Sequence, residues 1–252
     1  LKERKFLSSS LAEVQEVSVS LTLKTMDACR RLEEVKEKII KACERSQRKP
    51  EDVLLLGASK GVQPAKIREY YQCGLTVLGE NRVQEFLRKY EELKDLNIDW
   101  HFIGRLQSNK VKYVMDKVSL IHSLDRESLA HEINKRAQVL GKVQEVLIEV
   151  NVGNEESKGG LKMEDLLSFY ERALTFKNLK VVGLMCVPPY KEEPNQVRPY
   201  FEKLRKLKEK LEWEFSVKLK HLSMGMSHDF EVAIQEGATI VRIGTLLFGK
   251  RA

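Results

Sequence analysis

The sequence predicts an α/β fold, a single (β/α)8 TIM barrel, on three observations. Eight short apolar runs alternate with segments of helical periodicity over residues 53–243, and such alternation calls for parallel strands joined by helical crossovers. No G-x-G-x-x-G follows the first run and no duplicated half is visible, which argues against the doubly wound dinucleotide-binding sheet, the open alternative. The first run, Leu54-Leu55-Leu56-Gly57-Ala58, stops at Ser59-Lys60. A lysine closing a buried strand belongs at the C-terminal mouth of a barrel, where such folds keep their chemistry.

Residues 1–27 form an extension of uncertain structure, in which Val14, Val17, Val19, Leu21 and Leu23 read either as a strand or as the lead into the next helix. The barrel domain is expected over 28–252. Cys29, Leu32, Val35, Ile39 and Cys43 recur at three- and four-residue steps, one apolar stripe on a helix over about 28–46. The first strand covers about 53–59, and Pro64 opens a helix to Gly74 where its missing N–H costs nothing. The second strand, 76–79, leads to a helix burying Val83, Phe86, Leu87, Tyr90 and Leu93. The third, 98–104, is followed by a helix over about 107–116, and the fourth is 118–123. Asp125 is suited to cap a helix burying Leu129, Ile133, Ala137 and Leu140.

The fifth strand, 146–152, precedes a loop rich in Gly, Asn and Glu and a helix around Leu166, Leu167, Tyr170 and Leu174. After the sixth, 179–186, Pro188, Pro189 and Pro194 keep the chain out of helix until about 197–213, which buries Phe201, Leu204, Leu207 and Leu211. The seventh strand is read over about 217–222, then a loop Ser223-Met224-Gly225-Met226, with Ser227 capping a short helix to Gly237 and the eighth strand at 239–243. Residues 244–252 are too few for a full outer helix, so the helix over 28–46 is expected to take that place beside the eighth strand.

Composition excludes several classes. Lys plus Arg number 44 against 37 Asp plus Glu, a net charge of +7, but the two signs are interspersed as on a solvated exterior, so no nucleic acid partner is expected. No run approaches the roughly 18 apolar residues of a membrane span, and residues 8–26, with Glu13 and Glu16, are too polar for a secretory signal. The cysteines at 29, 43, 73 and 186 form no C-x-x-C pair and suggest no disulfide framework. A cytoplasmic protein is expected, with a mitochondrial location also open in a eukaryote. The five histidines show no zinc spacing, and no metal is expected.

Polar residues gather at the predicted strand ends. Lys60 ends the first strand, Glu80-Asn81 follow the second, His101 lies in the third, Asn151 near the end of the fifth, and Arg242, Gly244 and Thr245 surround the end of the eighth. Barrels frequently bind phosphate between the loops after strands seven and eight. Ser223, Gly225 and Ser227 on one side, with Gly244 and Thr245 on the other, offer hydroxyls and backbone N–H groups for one. An enclosed lysine beside a phosphate site suits imine chemistry, on a carbonyl cofactor or, in a cofactor-free aldolase, on a sugar phosphate. Arg242 alternates with Val241 and Ile243 and so points inward. There it either discourages protonation of a pyridine nitrogen or forms a core ion pair with Glu80 or Glu149. His101 packs, hydrogen bonds, or touches the cofactor ring or its lysine; His122 and His221 read as satisfied core residues.

Several motifs occur together in order: Ser59-Lys60, Gly79-Glu80-Asn81 with Gln84-Glu85, Trp100-His101-Phe102-Ile103-Gly104, and Leu106-Gln107 with Asn109-Lys110. They continue with Asn151, Lys158 and Gly160, Gly183-Leu184-Met185, residues 222–227 with Asp229, and Val241-Arg242-Ile243-Gly244. With them the chain resembles the pyridoxal phosphate homeostasis protein family, also called the YggS or proline synthetase co-transcribed family, from about residue 53 to 251. The resemblance implies a fold type III barrel like the N-terminal domain of alanine racemase. It implies pyridoxal 5′-phosphate (PLP) covalently attached to Lys60 as an internal aldimine, and Arg242 facing the pyridine nitrogen. Ser223, Gly225, Gly244 and Thr245 would surround the phosphate, with Asn81 and Asn151 near the ring. It further implies a role in vitamin B6 homeostasis without an established catalytic turnover. PLP-dependent apoenzymes are then the candidate partners, and a monomer the expected state, with a weak dimer as the alternative.

The sequence departs from the family pattern at Gly61, where Thr is common, at Arg82 for Tyr, at Arg105 for Pro, and at Gly159 for Ser or Cys. These flank the proposed lysine, arginine and phosphate positions without removing them. A racemase or related PLP enzyme remains the first rival and the aldolase the second. For the racemase an opposing base is not evident in the sequence.

Overall fold

The computed structural model describes residues 2–155 and 159–250, with side chains from residue 23 onward. Lys158 and Arg251 lie outside the described residues. Eight parallel strands close into a barrel in sequence order: β1 (Leu54–Ala58), β2 (Val77–Glu80), β3 (Asp99–Phe102), β4 (Leu120–Leu124), β5 (Gln144–Glu149), β6 (Leu179–Met185), β7 (His221–Met226) and β8 (Ile240–Ile243). Closure comes from β1 against β8, in the register Leu54↔Ile240 through Gly57↔Ile243. The helices are α1 (Lys2–Arg45), α2 (Pro64–Gln72), α3 (Val83–Glu92), α4 (Glu127–Val139), α5 (Leu166–Ala173), α6 (Arg198–Phe215), α7 (Phe230–Gln235) and α8 (Thr245–Phe248).

Strand alternation sorts the side chains into two cores. Leu56, Ile103, Leu120, Leu147, Val182, Met185 and Ile240 fill the barrel interior with Leu54, Ala58 and Val77, while the intervening residues pack against the surrounding helices. This is the packed lumen of a barrel, not a pore. In α1 the stripe Ala28, Leu32, Val35, Ile39, Ala42 and Cys43 is buried, and the helix packs against α2, α7 and α8. It thus fills the place beside β8 that the short α8 leaves, as the sequence predicts. The extension ahead of residue 28 continues the same helix back to Lys2.

The structure corrects several expectations. Cys29 and Cys73 form a disulfide that ties α1 to the end of α2, with the Cα atoms 5.1 Å apart; no sequence spacing reports it, because it depends on the packing of the two helices. Residues 108–113 form a 3-10 helix rather than an α-helix, consistent with Val111 and Val114, three apart, both turning inward. Asp125 does not cap α4 but pairs with Arg126 at 2.5 Å. Leu140 and Leu174 follow the last turns of α4 and α5 and are exposed. Strand seven begins at His221 because α6 runs on to Phe215 and ends in a left-handed Ser216. The segment Ser223-Met224-Gly225-Met226 is consequently strand, not loop.

Candidate active site at the barrel mouth

Lys60 shares the inward parity of Leu54, Leu56 and Ala58, two residues beyond the end of β1. It occupies a tight turn in which the Val62 N–H donates to the Ser59 carbonyl at 2.9 Å, with Gly61 at φ 75°. Glycine meets that left-handed conformation without a Cβ clash. Lys60 is half-buried, and its amine has no hydrogen-bond or ion-pair partner among the described residues. Beside it opens a cavity of about 200 Å³ lined by Lys60, Lys66, Gly244, Thr245 and Lys250, among others. Besides Lys60, two lysines line it, Lys250 and Lys66, the latter also donating to the Phe248 carbonyl at 2.8 Å, and their charge makes it suited to a phosphate.

Ser227 bridges the seam on the β8 side. Its hydroxyl accepts from the N–H groups of Gly244 and Leu246, each at 3.3 Å, instead of capping α7. Asp229 takes the turn before that helix, accepting from the Met226 N–H at 2.7 Å. Gly225, at φ 94°, lets α7 approach: a Cβ there would lie 2.9 Å from the Phe230 Cα. Thr245 is exposed at the rim.

Arg242 points inward, as alternation requires, and is buried. It donates to the Ser223 hydroxyl at 2.6 Å and to the Cys186 carbonyl at 2.9 Å. Ser223 is therefore engaged inside the barrel, where it also meets His122 Nδ1 at 2.9 Å. His122 Nε2 lies 3.0 Å from His101 Nδ1, and His101 Nε2 lies 3.5 Å from the Asp99 carboxylate. One polar chain thus runs through the lumen from Asp99 at the N-terminal end of β3 to Arg242 below the mouth. Burial, with His101 next to it, holds His122 well below the usual histidine range, and burial lowers Arg242. The His101 hydrogen bond holds Asp99 below the usual carboxylate range. His101 sits within this chain, a layer below Ile103, and not at the mouth.

Asn81 and Asn151 flank the opening. The Asn81 N–H donates to Glu80 Oε2 at 3.0 Å. The Asn151 amide donates to the Glu155 carbonyl at 2.8 Å and accepts from its N–H at 3.2 Å, securing the loop after β5. Glu80 points outward and so is not the partner of Arg242. Its carboxylate pairs with the fully buried Lys89, behind the barrel wall. Glu149 follows the inward parity of Leu147. Burial first, and Asp125 second, push it up to about 7, while Arg242 and Arg105 pull the other way.

The amino-acid sequence leaves two groups unseen. Lys89 sits four residues after Glu85 and interrupts the apolar stripe of α3, a spacing that marks a helix ion pair and could have drawn attention to it. The Asp99–His101–His122 alignment depends on the register between β3 and β4 and leaves no local signal. Among the described residues, no group of three or more His, Cys, Asp or Glu could hold a metal ion. No helix among them is long and apolar enough to cross a membrane.

Residues 57–252 match the alanine racemase N-terminal domain family. The pyridoxal phosphate homeostasis protein of Aquifex aeolicus is 66% identical over 226 residues, 90% of this chain and 99% of the relative. The chain belongs to the pyridoxal phosphate homeostasis protein family. Its counterpart from Pseudomonas aeruginosa is 40% identical over 217 residues, covering 86% of this chain and 93% of that protein. Among solved structures, PipY of Synechococcus elongatus, described with PLP bound, superposes with a TM-score of 0.78 at 33% identity, covering 88% of this chain and all of that one (100%). The family is named for homeostasis of a cofactor and not for a reaction.

Proposed function

We propose that the chain binds PLP through the Lys60 amine and serves as a reversible carrier that buffers the free cofactor. The observation that carries this reading is the unpaired, half-buried amine of Lys60 beside a lysine-lined cavity that it shares with Gly244 and Thr245. The likeness to PipY, whose structure holds PLP, supports it. When bound, the cofactor supplies an aldehyde for the lysine and an electron-withdrawing ring.

Each residue then has a task. Lys60 would add to the aldehyde as the neutral amine, since an ammonium has no lone pair to offer a carbonyl carbon, and the carbonyl oxygen would leave as water. Gly244, Thr245, Ser227 and the nearby lysines would hold the phosphate, while Ser223 and Gly225 support that side from within. Arg242 would present a cation to the ring nitrogen and disfavour its protonation, which would weaken the electron sink and suit holding and releasing over carbanion chemistry. Asn81 and Asn151 would border the ring. The same reading makes cytoplasmic PLP-dependent apoenzymes the recipients and a monomer the working form.

The test is the visible spectrum of the purified chain with PLP, before and after borohydride reduction, with peptide mapping. A chromophore that becomes a pyridoxyl adduct on Lys60, and is lost in Lys60→Ala, is expected. No colour and no adduct would refute the reading, as would labelling at a different lysine. Rapid solvent exchange at an amino acid α-carbon, abolished in Lys60→Ala, would favour the racemase instead.

A further inference from the structure

The barrel wall behind Lys60 holds a polar cluster that the site chemistry has not used. The Lys89 ammonium is fully buried between β2 and α3, donating to the Ser59 carbonyl at 2.5 Å, to Glu80, and to Glu85 Oε1 at 2.8 Å. Glu80 also accepts from the Ser59 hydroxyl at 2.8 Å, and the same Ser59 hydroxyl lies 3.1 Å from the Gly79 carbonyl. Glu85 Oε1 accepts from the Gly61 N–H at 2.5 Å. Burial pushes the Glu85 carboxyl up, but the Lys89 ammonium and the Gly61 N–H outweigh it and keep Glu85 ionised.

The contacts reach the backbone on both sides of one residue. Ser59 is held through its carbonyl and hydroxyl, Gly61 through its N–H, and Lys60 alone, between them, turns its side chain the other way into the mouth. A buried ion cluster is poor evidence for stability, since apolar residues of similar volume often serve as well or better. Its geometry here is that of a support that fixes a turn and leaves the amine unencumbered.

We propose that Lys89, with Glu80 and Glu85, is a positioning residue that fixes the Ser59–Gly61 turn and so aims the Lys60 amine at the aldehyde. The proposal rests on Lys60 being the PLP anchor. It predicts that the cluster governs capture of the aldehyde far more than recognition of the phosphate and ring.

Two probes separate these effects: PLP, and pyridoxine 5′-phosphate, which keeps the phosphate and ring but has no aldehyde. The variants are Glu85→Ala, at the partly exposed edge of the cluster, and the double variant Glu80→Gln with Lys89→Met, which removes both buried charges together. Folding is checked by thermal melting without ligand. Loading of PLP, followed by absorbance, is expected to slow and weaken by about tenfold or more in both variants, the scale of loss when a supporting partner of a reactive group is removed. Affinity for pyridoxine 5′-phosphate, read by competition, should fall by much less than PLP loading: Gly61 and Asn81 touch the cluster, but Gly244, Thr245, Lys250 and Asn151 do not and keep their places. The proposal is overturned if either folded variant captures PLP at the parent rate and affinity, or if both probes weaken equally. Should the parent protein itself give no adduct on Lys60, the anchor reading fails and takes this one with it; a labelled parent with unaltered variants refutes the positioning role alone.

Discussion

Replacing Glu149 by Gln should stabilise the chain increasingly as the pH rises. Glu149 projects from the end of β5 into the mouth, and its carboxylate has no hydrogen-bond partner among the described residues. The turn after β4 supplies a second acid, Asp125: a Cβ on Gly159, in the loop after β5, would lie 3.9 Å from Glu149 Oε1 and 3.8 Å from Asp125 Oδ2. Burial and that neighbour raise the group from 4.5 to about 7. A raised carboxyl binds more protons folded than unfolded between those two values, so its contribution to stability is lost as pH climbs through the window. At about 1.4 kcal/mol per tenfold change in proton affinity, the ionised group costs about 3 kcal/mol at pH 8. Glutamine removes that cost but also removes an anion that favours the Arg242 cation, so about 3 kcal/mol is the ceiling. Urea unfolding of the cofactor-free chain at pH 5, 6, 7 and 8 reads the difference. The variant should match the parent near pH 5 and gain steadily above it. A gain that is constant with pH, or largest at pH 5, would refute the assignment of a raised, unpartnered carboxyl.

Two further predictions concern the fold. The Cys29–Cys73 bond closes a span of 44 residues, which chain entropy values at up to about 4 kcal/mol; Cys29→Ser should lower the urea midpoint accordingly, and added reductant should then have no further effect. Burial, followed by Lys220, lowers His221 from 6.5 to about 4. A depressed histidine contributes stability that is present above 6.5 and lost as pH falls toward 4, so His221→Phe should flatten the acid limb of the stability profile measured by thermal melting.

How much is legible in the sequence depends on where each signal resides. The barrel can be read because its evidence is periodic and local: short apolar strand runs, helix stripes, and breakers between them. Lys60 and Arg242 are legible for the same reason, since alternation along β1 and β8 settles which way each points. The start of β7 is misleading because Val217 and Leu219 look more apolar than Ser223 and Gly225, yet the barrel selects the segment that reaches its neighbours, and α6 must first end at Ser216. The disulfide and the histidine chain are hidden because each depends on two elements meeting at one register. Cys29 gives no indication of Cys73, and His101 none of His122, until α1 lies on α2 and β3 on β4.

The two buried networks, one behind the barrel wall and one in the lumen, share one logic. Each leads toward the mouth, Lys89 with its carboxylates to the Lys60 turn and Asp99–His101–His122–Ser223 to Arg242 just below it. A guanidinium has five donors, and with one on the Ser223 hydroxyl and one on the Cys186 carbonyl its plane is fixed while others stay available to the opening. Neutral His122 lets that tether cross the lumen without a second buried charge beside Arg242. On the proposed reading, the anchor and the ring partner are therefore held by separate supports on opposite faces of the wall. Damage to the Lys89 cluster should slow aldehyde capture, whereas damage to the histidine chain should change the electronic environment of the ring and shift the absorption of bound cofactor.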